Sequence, residues 1–105
     1  MIRHNIEMPG DKIADFCHRW KIEEFALFGS VLREDFTPDS DVDVLVTFAP
    51  DARWTMFDFV QMRDELATIL GRDVDLVSRR GLETSRNYIR RNTILSSAQV
   101  IHVAR

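Results

Sequence analysis

Asp41 and Asp43 stand two residues apart at the head of the apolar run Val42 to Phe48. A Gly29-Ser30 pair lies about a dozen residues upstream, at the end of another apolar run. On a strand, residues i and i+2 share a face, so the two carboxylates project together with their Cα atoms roughly 7 Å apart. Like charges that close are unfavourable unless a cation lies between them. A hard divalent ion such as Mg²⁺ answers this, because it takes oxygen ligands and keeps positions open for phosphate. The Gly-Ser turn supplies what a phosphate needs, backbone N–H groups that can approach closely and a hydroxyl.

Val74-Asp75-Leu76-Val77 is a second apolar run with one carboxylate inside it. An aspartate in such a run is unfavourable unless paired or metal-bound. Three acids on adjacent strands beside a Gly-Ser turn would hold two Mg²⁺ ions for phosphoryl-type transfer. Each acid has a plainer explanation on its own. Asp41 would be a turn residue after Pro38-Asp39-Ser40, Asp43 would point to solvent, and Asp75 would be an edge charge that blocks aggregation. The conjunction with Gly29-Ser30 favours the shared site. Asp73 lies two residues before Asp75 and shares its strand face, so spacing leaves either as the third ligand. Ser40 either caps the turn that steadies Asp41 or reaches a phosphate. Arg33 either grips phosphate bidentately or pairs with Glu34 or Asp35.

Together, Gly29-Ser30, Arg33 and Ser40-Asp41-x-Asp43 resemble the signature of the minimal nucleotidyltransferases, small relatives within the DNA polymerase beta superfamily. The segment Leu70-Gly71-Arg72-Asp73-Val74-Asp75-Leu76-Val77 is similar to that family's third-acid strand and the helix end before it. The tail, with its basic helix from Arg86 to Arg91 and Ala98-Gln99-Val100-Ile101, fits as well. The chain departs from the pattern at Leu32-Arg33-Glu34-Asp35, where many members carry Ala-Arg-Gly. That stiffens the turn, while the spacing to Asp41 is unbroken.

The resemblance implies a nucleotidyltransferase with Asp41, Asp43 and Asp75 as catalytic, metal-holding acids; it decides for Asp75 over Asp73. Gly29, Ser30, Arg33 and Ser40 would bind the nucleotide. ATP would be the substrate and two Mg²⁺ ions the cofactors. It further implies an antitoxin that transfers AMP to a tyrosine of a HEPN-domain ribonuclease toxin. The alternative is a non-catalytic antitoxin that neutralises its partner by occlusion. A transferase acting on small antibiotic-like molecules fits less well, because no acceptor-holding second domain has room in the chain.

The elements that must position these residues follow from patterning. The 105 residues are read as one domain, 1–105, of α/β class: a small mixed sheet with helices packed mainly on one face. Charged residues make up 30% and hydrophobic residues 45%, an ordinary globular balance. A net charge of −3 argues against direct nucleic-acid binding. The single Cys17 excludes an internal disulfide and suits a reducing cytoplasm, with Cys17 packed as a small core residue. No signal peptide or membrane-spanning run is expected, and a homo-oligomer is compatible with all of this.

Residues 1–10 read as a lead-in closed by Pro9-Gly10. Asp11 is the expected cap of a helix over 11–20 whose face is Ile13, Phe16, Cys17 and Trp20. Strands follow over 25–28 and 42–48, with a short helical turn over 30–33 and a turn over 37–40 between them. Thr55 and Asp58 signal a capping box for a helix over 56–70, and Gly71 is its stop. A strand over 73–77, a short helical region over 82–85, a helix over 87–96 with Ile89 and Leu95 buried, and a strand over 100–103 complete the chain. Trp54, Met56 and Phe57 read as core and helix-start packing, the alternative being an adenine-stacking or partner-docking patch. Arg79, Arg80, Arg86, Arg90 and Arg91 form a basic cluster that is either a solvated face or a contact for phosphate or an acidic partner. His4, His18 and His102 show no metal-ligand spacing.

Overall fold

The computed structural model describes residues 9–29 and 41–103. The expected lead-in up to residue 8, the helical turn over 30–33, the turn over 37–40 and His4 lie outside the described residues.

Eight elements follow in the order α1 (Gly10–Arg19), β1 (Ile22–Phe28), β2 (Val42–Phe48), α2 (Met56–Leu70), β3 (Val74–Ser78), α3 (Arg79–Glu83), α4 (Tyr88–Ser97) and β4 (Gln99–Val103). The sheet runs β3-β2-β1-β4. β1 pairs antiparallel with both β2 and β4, while β2 and β3 are parallel and joined by α2. A parallel pair needs such a crossover, and a helix of 15 residues supplies it.

Alternation in the strands divides the molecule into two layers. Val42, Val44 and Val46 of β2 face one way with Phe25, Leu27, Val74 and Leu76, and pack on Ile13, Phe16, Cys17, Met62 and Leu66 of α1 and α2. Ala26, Phe28 and Leu45 face the other way, onto Leu82 of α3 and Ile94 of α4. The α1/α2 layer is the larger, in keeping with helices mainly on one face. The smaller α3/α4 layer is a second cover that the composition of those helices did not reveal.

Several boundaries differ from expectation for local reasons. α1 begins at Gly10 with Pro9 as cap and no side-chain cap bond, so Asp11 is not the cap. It lies in the first turn, where its charge suits the positive end of the helix dipole. β1 begins at Ile22, three residues early; the charged pair Glu23-Glu24 hides a strand that tertiary pairing extends through a bulge. α3 also starts three residues early, because the Ser78 hydroxyl accepts the Gly81 N–H (3.1 Å) and caps it. In α4 the buried residue is Ile94, with Leu95 half-buried, while Ile89 is 68% exposed. Met56 and Phe57 start α2 but are 78% and 89% exposed, so they are not core. Trp54 packs edge-on against Trp20 (centroids 5.1 Å) and donates its indole N–H to the Trp20 carbonyl (3.0 Å).

The capping box of α2 forms as expected. Thr55 Oγ1 accepts the Asp58 N–H (3.2 Å) and Asp58 Oδ2 accepts the Thr55 N–H (2.9 Å). Gly71 ends the helix at φ +69°, a backbone state that glycine adopts without penalty. Cys17 is fully buried, and desolvation pushes its thiol up to about 12. It should therefore resist iodoacetamide at pH 8 in the native protein and react once denaturant is added, as followed by intact mass.

Glu65 joins α2 to α1. Its carboxylate accepts hydrogen bonds from Arg19 and from the Trp20 indole N–H (3.1 Å). Chiefly the Arg19 bond holds the Glu65 carboxyl below its ordinary value of 4.5. A depressed carboxyl stabilises the fold above its unfolded pKa and loses that contribution as pH falls through the folded one. Glu65→Gln should accordingly lower the melting temperature by a few degrees at pH 7, modest because the pair is partly solvated. Melts recorded from pH 7 to pH 3 should show that gap closing below about 4.5.

Candidate active site

β1 ends in Gly29, which adopts φ +75°. The preceding residue, Phe28, is paired with Asp43 across the antiparallel ladder. A Cβ on Gly29 would fall on the Asp43 carboxylate, 3.1 Å from its Cγ. Gly29 thus meets two demands at once: a left-handed backbone and a close approach that leaves the carboxylate room.

Asp43 is the second residue of β2. Its neighbours Val42 and Val44 point into the α1/α2 core, so alternation sends Asp43 to the α3/α4 side, where it is half-buried. The parallel register sets Asp43 directly beside Asp75, with Cα atoms roughly 5 Å apart. Asp75 is exposed, and Val74 and Leu76 on either side of it are buried. Strand alternation therefore produces two adjacent carboxylates on one face and a continuous apolar surface on the other.

α4 forms the opposite wall. Gly29, Asp43 and Asp75 share a cavity of about 570 Å³ with Arg90, Thr93 and Ser97. Phe28, Ile94 and Gln99 close it. Thr93 and Ser97 turn their hydroxyls back onto the helix, donating to the carbonyls of Ile89 (2.9 Å) and Thr93 (2.7 Å). Arg90 is the only cationic side chain lining this cavity among the described residues.

Of the seven residues expected at the site, Gly29, Asp43 and Asp75 come together here. Asp41 precedes β2, is exposed, and lines a neighbouring cleft with Asp73, Arg63 and Asp64. Ser30, Arg33 and Ser40 lie outside the described residues. Among the described residues no three His, Cys, Asp or Glu side chains converge into a metal cage. The expected basic cluster is dispersed. Arg79 lies 3.6 Å from Glu83 and 4.0 Å from Glu24, Arg91 donates to the Glu83 carbonyl (3.3 Å), and only Arg90 faces the acids. The α4 wall was missed as a unit. Its sign was a polar row at 90, 93 and 97, spaced as one helix face.

A second cavity, of about 340 Å³, opens near the far ends of β2 and β3, between Trp54, Phe59 and Arg79. Its one carboxylate, Glu83, is already engaged with Arg79. The chemistry therefore favours the Asp43–Asp75 cavity.

Residues 11–100 match the profile of the nucleotidyltransferase domain family. The chain belongs to that family. It is 35% identical over 66 residues to the protein adenylyltransferase MntA of Thermococcus cleftensis, covering 63% of this chain and 65% of that protein. The chain spans less than two thirds of the length of three such curated relatives, 58% to 65%. A solved structure provisionally described as a minimal nucleotidyltransferase is 32% identical and superposes with a TM-score of 0.64, over 86% of this chain and 88% of that one. The same nucleotidyltransferase fold recurs at 22% identity and a TM-score of 0.61, over 90% of this chain and 69% of the other. That structure holds a tri-AMPylated HEPN toxin of Shewanella oneidensis in complex with an MNT antitoxin.

The contact between Gly29 and Asp43 predicts a non-additive pair. Gly29→Ala should cost about 1–2 kcal/mol for its left-handed backbone, and more for the collision with the carboxylate. In an Asp43→Ala background the collision is gone and only the backbone part should remain. A double-mutant cycle by urea unfolding should give a coupling of about 1 kcal/mol or more.

Proposed function

We propose that this protein transfers AMP from ATP to a tyrosine hydroxyl of a partner protein, a HEPN-domain toxin, and thereby acts as its antitoxin. The observation that carries this is the Asp43–Asp75 carboxylate pair beside Gly29, in a cavity large enough for a nucleotide. Support comes from the relative named a protein adenylyltransferase and from the shared fold of an antitoxin complexed with an AMPylated toxin. The match over residues 11–100 supports reading residues 1–105 as one such domain.

The residues present fit Mg²⁺. Asp43 and Asp75 offer hard oxygen donors side by side, and Mg²⁺ is commonly held by one or two carboxylates plus substrate phosphates rather than by an all-protein cage. Ions on Asp43 and Asp75 would neutralise phosphate charge when bound, with Asp41 to be drawn in from the neighbouring cleft it lines in this structure. Asp41 joins this set through its D-x-D spacing. Gly29, Ser30, Arg33 and Ser40 bind the phosphates, with Gly29 allowing close backbone approach.

Asp75, the more exposed acid, faces the acceptor. It orients the tyrosine hydroxyl and takes its proton as the oxygen attacks the α-phosphorus. A new P–O bond forms to the acceptor, the bond from the α-phosphorus to the β-bridging oxygen breaks, and pyrophosphate leaves. Positioning and charge neutralisation carry most of such a reaction.

Co-expression of the toxin with wild type, Asp43→Asn and Asp75→Asn tests the assignment. Intact-mass spectrometry should find AMP additions on the toxin only with wild type, and growth inhibition should return with each variant. Asp75→Asn removes a like charge at an exposed position, so its thermal melt should be unchanged or raised. Variants that protect as well as wild type, with the toxin unmodified throughout, would replace transfer by occlusion.

A further inference from the structure

The cavity holds charges of both signs, and they come from opposite walls. The sheet contributes Asp43 and Asp75, and α4 contributes Arg90. Arg90 is exposed, and its backbone N–H is spent on Asn87 Oδ1 (3.1 Å), the cap of α4. Its neighbours in the basic run are used differently. Arg79 sits with Glu24 and Glu83, and Arg91 bonds the Glu83 carbonyl, so both serve to fasten α3 to the elements around it. The hydroxyls of Thr93 and Ser97 donate into their own helix. Arg90 is therefore the group on this wall with cationic donors to offer a ligand.

A ligand complementary in charge to both walls presents positive charge beside the carboxylates and negative charge to the guanidinium. A cation–triphosphate complex does this. A neutral tyrosine or nucleoside can hydrogen-bond a carboxylate but brings no negative charge to the guanidinium. The negative charge of ATP is concentrated on its β- and γ-phosphates, and a guanidinium is the side chain whose planar fork matches phosphate oxygens bidentately.

We propose that Arg90 binds the β,γ-diphosphate of the nucleotide, clamping it from α4 against the cation-bearing face of Asp43 and Asp75. This rests on the nucleotidyl-transfer reading above and adds a residue and a role to it. α4 thereby becomes part of the nucleotide site rather than only a cover for the sheet, and Arg90 discriminates by phosphate number. ATP, which keeps the diphosphate, gains from it, and AMP does not. The same contact draws negative charge away from the bond that breaks, so it also favours departure of pyrophosphate.

The test compares wild type, Arg90→Met and Arg90→Lys as full chains, with Mg-ATP and AMP titrated in the absence of any partner. Arg90→Met should weaken Mg-ATP binding about tenfold or more, as expected for loss of a charged phosphate contact. It should leave AMP affinity within about twofold and the ligand-free melting temperature unchanged, since Arg90 is exposed. Arg90→Lys should recover part of the ATP affinity, because the charge returns without the fork. Equal ATP affinity in wild type and Arg90→Met would overturn the assignment. So would an equal loss for ATP and AMP, which would place the contact nearer the nucleoside. A wild type that binds no nucleotide at all would instead overturn the nucleotidyl-transfer reading, and this inference with it.

Discussion

Two carboxylates held in register on adjacent parallel strands are the constraint around which this molecule is arranged. Two unit charges as far apart as their Cα atoms, about 5 Å, would repel by about 1 kcal/mol in water-like surroundings and about 3 kcal/mol at an effective dielectric of 20, before any partner or cation offsets it. On the back of β2, Val42, Val44 and Val46 are completely buried. At about 1.5–3 kcal/mol each, those three side chains contribute about 5–9 kcal/mol. The core wins, and it does so through register. A slip of one residue would turn the valines to the α3/α4 side and drive Asp43 into the α1/α2 core. The charge pair is thus imposed on the structure by apolar packing on the reverse face of the same strand.

The location of the pair within the sheet is unusual for an α/β protein. Ligands of open parallel sheets gather outside the carboxyl ends of the strands. Here Asp43 and Asp75 are each the second residue of a parallel strand, close to its amino end. The antiparallel β1 accounts for this. Its carboxyl end arrives at the edge where β2 and β3 begin, bringing Gly29 against Asp43, and β4 starts at that same edge beside Leu27. The site is built where one strand ends and three begin, and α4 crosses the open face above it.

Much of this was legible from residue types. The run of alternate valines exposed β2, the Thr55–Asp58 capping box and Gly71 bounded α2 to the residue, and an acid inside Val74-Asp75-Leu76 marked one wall of the cavity that Asp43 also lines. The weaker readings were those in which tertiary contacts outweigh local pattern. Glu23 and Glu24 conceal the start of β1, because a strand flanked on both sides can carry charges at positions its neighbours leave solvated. Ile89 and Ile94 are equally apolar in the sequence, and only the packing of α4 on Leu45 and Leu82 selects Ile94 for burial. Arg79, Arg80, Arg86, Arg90 and Arg91 look alike as a cluster. Their separation into fasteners and a cavity-lining residue depends on where Glu24 and Glu83 lie, which spacing does not encode.

Among the described residues β3 is an outer strand of the sheet, five residues long, with one rail of backbone groups that no described strand pairs. Its sequence, Val74-Asp75-Leu76-Val77-Ser78, would be a sticky template for another chain were it not for the single exposed charge near its start. An exposed charge such as that of Asp75 is of the kind that discourages strand-to-strand association at a sheet edge. With Asp75 also the acid of the proposed reaction, dispersal and chemistry would place the same demand on this one side chain. A family member that abandoned its chemistry would still need a charge or a proline on this strand to stay dispersed in a crowded cell.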